Sequence, residues 1–203
     1  MPRASQLDDK RRELLPIVAR AFAELGYRRT TTAELATRCG VRENILYRLW
    51  PDKKRMFIAS IGYVYDSSVA VWERILADTG ANESAAERLL AYESRHFGEF
   101  GHYRIVFAGL SETDDADVRA ALADMYQRYQ RFVREHIGKH RAQHAQHAQH
   151  VSVAGPTPEL AAWAVVGLGT VANIALELGL VDDAQRSELF AQIGRMLLEG
   201  QAK

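Results

Sequence analysis

Arg42, Glu43, Asn44, Tyr47 and Arg48 are the residues of this chain whose types and spacing suit one chemistry. Guanidinium and carboxamide groups can pair with base edges in a DNA major groove, while hydroxyls and cations reach phosphates. This is recognition chemistry, not bond making. No set of nucleophile, base and orienting group stands out, nor a metal signature or a phosphate loop. Neither enzymatic activity nor a cofactor is therefore expected.

To present those side chains, a short helix must be held at a steep angle to another. Residues 30–53, TTTAELATRCGVRENILYRLWPDK, read as two such helices, Thr32–Cys39 and 44–49. Gly40 between them can take the positive φ that a tight turn wants. Leu35, Ala36, Cys39, Val41, Ile45 and Leu46 offer the apolar contacts that hold the pair, and Cys39 is read as filling a small gap there. Upstream, Leu14, Leu15, Val18, Ala21, Phe22 and Leu25 recur at helical spacing up to Gly26. Pro16 suits a first turn, so the regular helix is expected to begin near Leu15 or to follow a kinked earlier turn. Downstream, a long amphipathic helix over 52–78 carries Phe57, Ile61, Val64, Tyr65, Trp72, Ile75 and Leu76 on one stripe, with Asp52 as its cap.

The remainder also reads as helix. Ser84 and Glu87 form a capping box opening a helix to about residue 97. A short apolar segment, Tyr103–Leu110, follows Gly98 and Gly101, and the acidic run 112–117 opens a helix bearing Val118, Leu122, Met125, Tyr126, Tyr129 and Phe132. Thr157-Pro158-Glu159 and Asp182 to Gln185 start the last two helices. No convincing strand is found, so the expected fold is all-α with about nine helices. The apolar run 161–172 is broken by Gly167 and Gly169 and reads as too short to span a bilayer. Residues 1–10 lack a signal-peptide core, and the single cysteine allows no internal disulfide. These features lead us to expect a cytoplasmic protein with no membrane partner.

A net charge of zero conceals an asymmetry. Residues 1–60 hold 13 Lys/Arg against 7 Asp/Glu, and residues 61–203 hold 13 against 19. A basic head on an acidic body suits a localised polyanion contact.

From about residue 12 to 57 the chain resembles the TetR family of bacterial regulators. The resemblance rests on Ala21-Phe22, Gly26-Tyr27, Thr30 to Thr32, Leu35-Ala36, Gly40-Val41, Leu46-Tyr47, Trp50 and Lys53. It implies a DNA-binding domain over 1–55 and a ligand-sensing, dimerising domain over 56–203, joined by the long helix. Thr31 and Thr32 would open the first short helix beside the DNA backbone, Tyr47 and Lys53 would touch phosphates, and Arg42, Glu43, Asn44 and Arg48 would read bases. Three departures stand out: Arg42 replaces a small hydroxyl residue, Asn44-Ile45 replaces a frequent Gly-Thr pair, and Leu49 stands where a polar residue is common.

The resemblance further implies a homodimer on a palindromic operator of double-stranded DNA, released by a small-molecule effector. A repressor is the first expectation, an activator the alternative. Trp163, Gly167, Val171, Ile174 and Leu178 align along the penultimate helix, and Phe190, Ile193 and Leu197 along the last, as the expected dimer surface. Trp72, Tyr92, Phe97, Phe107, Tyr126 and Tyr129 are candidate pocket residues, and the lack of concentrated charge among them favours a neutral or aromatic ligand. One segment fits neither role. Three Ala-Gln-His repeats end at His150, and His136, His140, His144 and His147 would share a face if the preceding helix continued. A polar low-complexity connection is the expectation, with no metal bound; a metal-responsive regulator is the alternative.

Overall fold

The computed structural model describes residues 2–77, 83–96, 98, 101–147 and 155–199. Among them are nine α-helices and no strand: α1 Pro2–Arg29, α2 Thr32–Cys39, α3 Glu43–Leu49, α4 Lys53–Ala77, α5 Ala85–His96, α6 Tyr103–Leu110, α7 Ala116–His147, α8 Pro158–Glu177 and α9 Asp183–Glu199. The all-α expectation holds. Phe97 and His150 lie outside the described residues, as does the side chain of His147.

Several boundaries follow from caps. Asp52 Oδ1 accepts from the Arg55 amide at 2.7 Å. Ser84 and Glu87 bond reciprocally, through the Ser84 amide to Glu87 Oε2 at 2.6 Å and the Glu87 amide to Ser84 Oγ at 3.2 Å. Asp182 and Gln185 repeat the arrangement ahead of α9. Such pairs satisfy amides that a helix start leaves without partners.

Two elements differ from expectation. α1 begins at Pro2 and runs through Pro16; its non-helical break is at Gly26, with φ 75° and ψ 167°. Pro16 is exposed, so water can satisfy the carbonyl that loses its amide partner. α7 continues through His147, so the start of the Ala-Gln-His repeats is helix and not connection.

The chain forms two compact units that interleave in sequence, one from residues 1–68 and 100–125, the other from 69–99 and 126–203. In the first, α1 packs on α2, α3 and α6. Its core includes Leu14, Val18, Phe22, Leu35, Leu46, Met56, Phe57, Ile61 and Ile105, all essentially sealed from solvent. In the second, α5 and α8 pack on α9, and Ala86, Ile137, Ala161, Ala162 and Leu198 make a core cluster. Arg141 closes the end of α9, donating to the Leu197 and Leu198 carbonyls at 2.7 and 3.1 Å and to the Pro156 carbonyl at 2.6 Å.

α8 spans 20 residues with a mean hydropathy of 1.6 over its 18-residue window, long and apolar enough by composition to cross a membrane. This corrects the reading of 161–172 as too short, because the apolar stretch takes in the whole helix. Only 28% of that window is buried.

Candidate nucleic-acid interface

The turn between α2 and α3 sets the recognition geometry. Thr31 caps α2 by accepting from the Glu34 amide at 3.1 Å. Gly40 then adopts φ 63°, ψ 29°, and the Val41 amide returns to the Ala36 carbonyl at 3.0 Å. Leu35, Ala36, Leu46 and Leu49 are buried beneath the turn, and Arg11 of α1 donates to the Leu49 carbonyl at 2.7 Å. α3 is thus fixed at both its buried face and its C-terminal end.

Its outer face carries the expected residues. Arg42, Glu43, Asn44, Tyr47 and Arg48 are all exposed. Arg42 occupies the N-cap position of α3 without making a side-chain cap, which leaves its guanidinium to solvent. Among the described residues Arg42, Asn44 and Arg48 enter no ion pair.

The other candidates are already engaged. Thr32 donates from its hydroxyl to Glu43 Oε2 at 2.7 Å, and the Tyr47 hydroxyl donates to Thr32 Oγ1 at 3.2 Å. This relay ties α2 to α3 and turns the Glu43 carboxylate toward Thr32. Lys53 donates to the carbonyls of Tyr27 and Thr30 at 3.1 and 3.0 Å, and its ammonium lies 4.4 Å from the Tyr27 ring centroid. Tyr27 itself packs on Phe57, which packs on Phe22, at centroid distances of 4.8 and 5.0 Å. Burial and the nearby Glu112, Asp115 and Asp52 carboxylates push the Tyr27 phenol pKa up. Lys53 therefore closes the end of α1 onto the start of α4.

Sequence reading missed the salt links of this unit. Arg28 pairs with Glu112 at 2.7 Å, and Lys54 meets Asp115 and Asp117 at 3.0 and 2.9 Å. Lys54 holds both aspartates below the ordinary carboxylate range. Arg38 bonds Glu34 and Glu24. The first unit as a whole carries 15 Lys/Arg against 13 Asp/Glu, so the acidic run 112–117 neutralises much of the basic excess seen in residues 1–60. The positive charge left without local partners includes Arg42 and Arg48 on α3. Charge counting along the sequence could not show this, because the acids lie far away in the chain. Cys39 is half-buried, and burial raises its thiol pKa, away from the low-pKa pattern of a reactive cysteine.

The candidate pocket residues are divided between the two units. Phe107 belongs to the first unit and Trp72, Tyr92, Tyr126 and Tyr129 to the second. Trp72 is 7% exposed, stacks on Phe132 at 4.6 Å, meets Tyr129 edge-on at 5.7 Å and donates to Glu93 at 2.5 Å. A shallow open depression of about 430 Å³ in the second unit is lined by Val71, Arg74, Ile75, Arg88 and Tyr92. Of the expected residues it takes Tyr92, beside the two guanidiniums of Arg74 and Arg88.

Along α8, Trp163, Val171, Ile174 and Leu178 are exposed, at 46, 59, 41 and 66%, and Gly167 lies on the same face. Ile193 of α9 is 38% exposed and Leu197 is half-buried. Phe190 departs from the expected surface: at 4% exposure it is spent on the unit's own core and cannot reach a partner.

Together α1, α2 and α3 form a three-helix head with the geometry of a helix-turn-helix. Residues 19–59 match the family described as bacterial regulatory proteins, tetR family. Beyond that segment, the chain shares its fold with solved structures. A TetR-family transcriptional regulator from Cytophaga hutchinsonii superposes with a TM-score of 0.74 at 14% identity, covering 98% of both chains. The reduced form of E. coli NemR gives 0.71 at 17% identity, over 92% of this chain and 96% of that one. Among curated relatives, the nucleoid occlusion factor SlmA of Salmonella paratyphi B is 38% identical over 92 residues, 45% of this chain and 46% of that protein. The match thus spans about half the length of such relatives.

Proposed function

We propose that this chain is a dimeric transcriptional regulator, a repressor, whose two α3 helices read a palindromic operator and whose second unit binds a small-molecule effector. The carrying observation is the outer face of α3: Arg42, Asn44 and Arg48 stand exposed and free of ion pairs on a helix pinned by Gly40, Arg11 and a buried apolar floor. Arg and Asn there suit guanine and adenine edges. Thr31, Thr32 and Tyr47 flank the backbone, and Glu43 and Lys53 act by holding the head. Functionally the chain divides at about residue 55 into a DNA-reading part and a sensing part.

The exposed stripe Trp163, Gly167, Val171, Ile174 and Leu178, joined by Ile193 and Leu197, is the surface for a second copy. A second copy is favoured over lipid because the opposite face of α8 is buried on α9, itself a charged helix. Arg74 and Arg88 beside Tyr92 favour an anionic effector with an apolar part. The place of action is the cytoplasm, where the DNA is.

Selection of bound DNA from a random pool tests the reading. A two-fold symmetric site with half-sites about one helical turn apart is expected. Recovery of no enriched sequence would overturn it. A second reading, DNA binding that serves nucleoid organisation, draws on the likeness to a nucleoid occlusion factor. It predicts symmetric sites scattered over the chromosome and no change in transcription beside them when the gene is deleted.

A further inference from the structure

The continuation of α7 gives the histidine segment a definite geometry. His140 and His144 lie one turn apart on α7, with ring centroids 4.1 Å apart, and both lie by the start of α5. One ligand atom from each of Glu87, His140 and His144 falls within 4.8 Å of the other two. His136, which sequence reading placed with them, stacks instead on Phe132 at 4.2 Å and bonds the Phe132 carbonyl.

His140 is 2% exposed, an unusual place for an imidazole. Its Nδ1 lies 2.7 Å from Ser84 Oγ, while its Nε2 is buried and has no hydrogen-bond partner. A buried polar atom left unpaired is destabilising, so it calls for an explanation. His144 and Glu87 are more open, with side chains 58 and 40% exposed, and His144 Nε2 stands 4.0 Å from Glu87 Oε1.

We propose that Glu87, His140 and His144 form a divalent transition-metal site, with zinc the ion that this donor set suits. Two imidazoles and one carboxylate are a common zinc set, and the pair at i, i+4 shares a helix face. Donors around a tetrahedral zinc at about 2.0–2.1 Å stand about 3.3 Å apart, so the three must close by an ångström or so. The side chains of His144 and Glu87, being more open than the buried His140, have the room to turn toward it. Ser84 at His140 Nδ1 orients the ring, as outer partners of metal-bound histidines do. The fourth position stays open to water. Bound there, the ion staples the start of α5 to the C-terminal part of α7, a role independent of DNA reading.

The test uses the full-length chain without an affinity tag, titrated with zinc chloride by calorimetry at neutral pH, with magnesium chloride as control. One zinc per chain is expected, no magnesium, and a rise in Tm with zinc. Glu87→Gln keeps the capping box and His144→Gln alters an exposed residue, so both variants should fold. Each should weaken zinc binding by about tenfold or more, while His136→Gln should not. The proposal is overturned if E87Q and H144Q bind zinc like the unsubstituted chain. It is equally overturned if replacing His147 and His150 by Gln removes the binding that E87Q and H144Q retain.

Discussion

Arg42, Asn44 and Arg48 differ from Lys53 in what they have left to offer. Replacing Arg42 by Ala should cost about 1–3 kcal/mol on the selected operator and relax preference at one base position, measured by competition binding. Lys53→Met should act otherwise, since its ammonium already serves two carbonyls and a ring. We expect a loss of about 1–3 kcal/mol in unfolding stability and little change in the salt dependence of DNA binding. A salt slope reduced by about one, with stability unchanged, would return Lys53 to the phosphate contacts. Glu93 supplies the pH-sensitive case. Burial raises its pKa, partly offset by the Trp72 hydrogen bond. A carboxyl with a raised folded-state pKa adds stability below its unfolded pKa and loses it as pH rises through the folded one. Glu93→Gln keeps an acceptor for Trp72 and removes the buried charge. It should raise Tm at neutral pH by about 2–4 °C, for a gain of about 1 kcal/mol, with a smaller gain near pH 4.

At the scale of the elements, α8 sets the clearest expectation. Val171→Asp or Ile174→Asp puts a charge on the exposed apolar stripe without touching the core, so light scattering should show a monomer that remains helical. A dimer surviving both substitutions would move the interface elsewhere. Much of this level was readable from residues: Asp52, Ser84 with Glu87, Thr157 and Asp182 with Gln185 are local signals, and each caps where expected. What failed depended on distant partners. Nothing near Phe190 says which face of α9 the core takes. The repeats 142–150 look like a polar connection because composition is silent on the Ser84 and Glu87 side chains beside α7. Pro16 misled because its penalty depends on whether water reaches the freed carbonyl. The recognition turn was legible for the opposite reason, with nearly all its determinants inside 24 residues.

For the whole molecule, the proposed DNA-reading face of α3 offers few cations of its own, Arg42 and Arg48 among them. The first unit is nearly neutral, so a modest salt slope is expected, set by few phosphate contacts per protomer, and fluorescence anisotropy across a salt series measures it. A steep slope would mean that cations now paired with the acidic run let go on binding. That first unit also has a consequence for how the protein is made. Its two stretches, 1–68 and 100–125, are separated in the chain, and α1 rests on α6. While a ribosome is still adding residues 69–99, the turn between α2 and α3 exists but its support does not. The head reaches its final stability only after residue 125 has emerged, so a nascent or truncated chain ending near residue 68 should melt at a lower temperature than the head does in the finished protein.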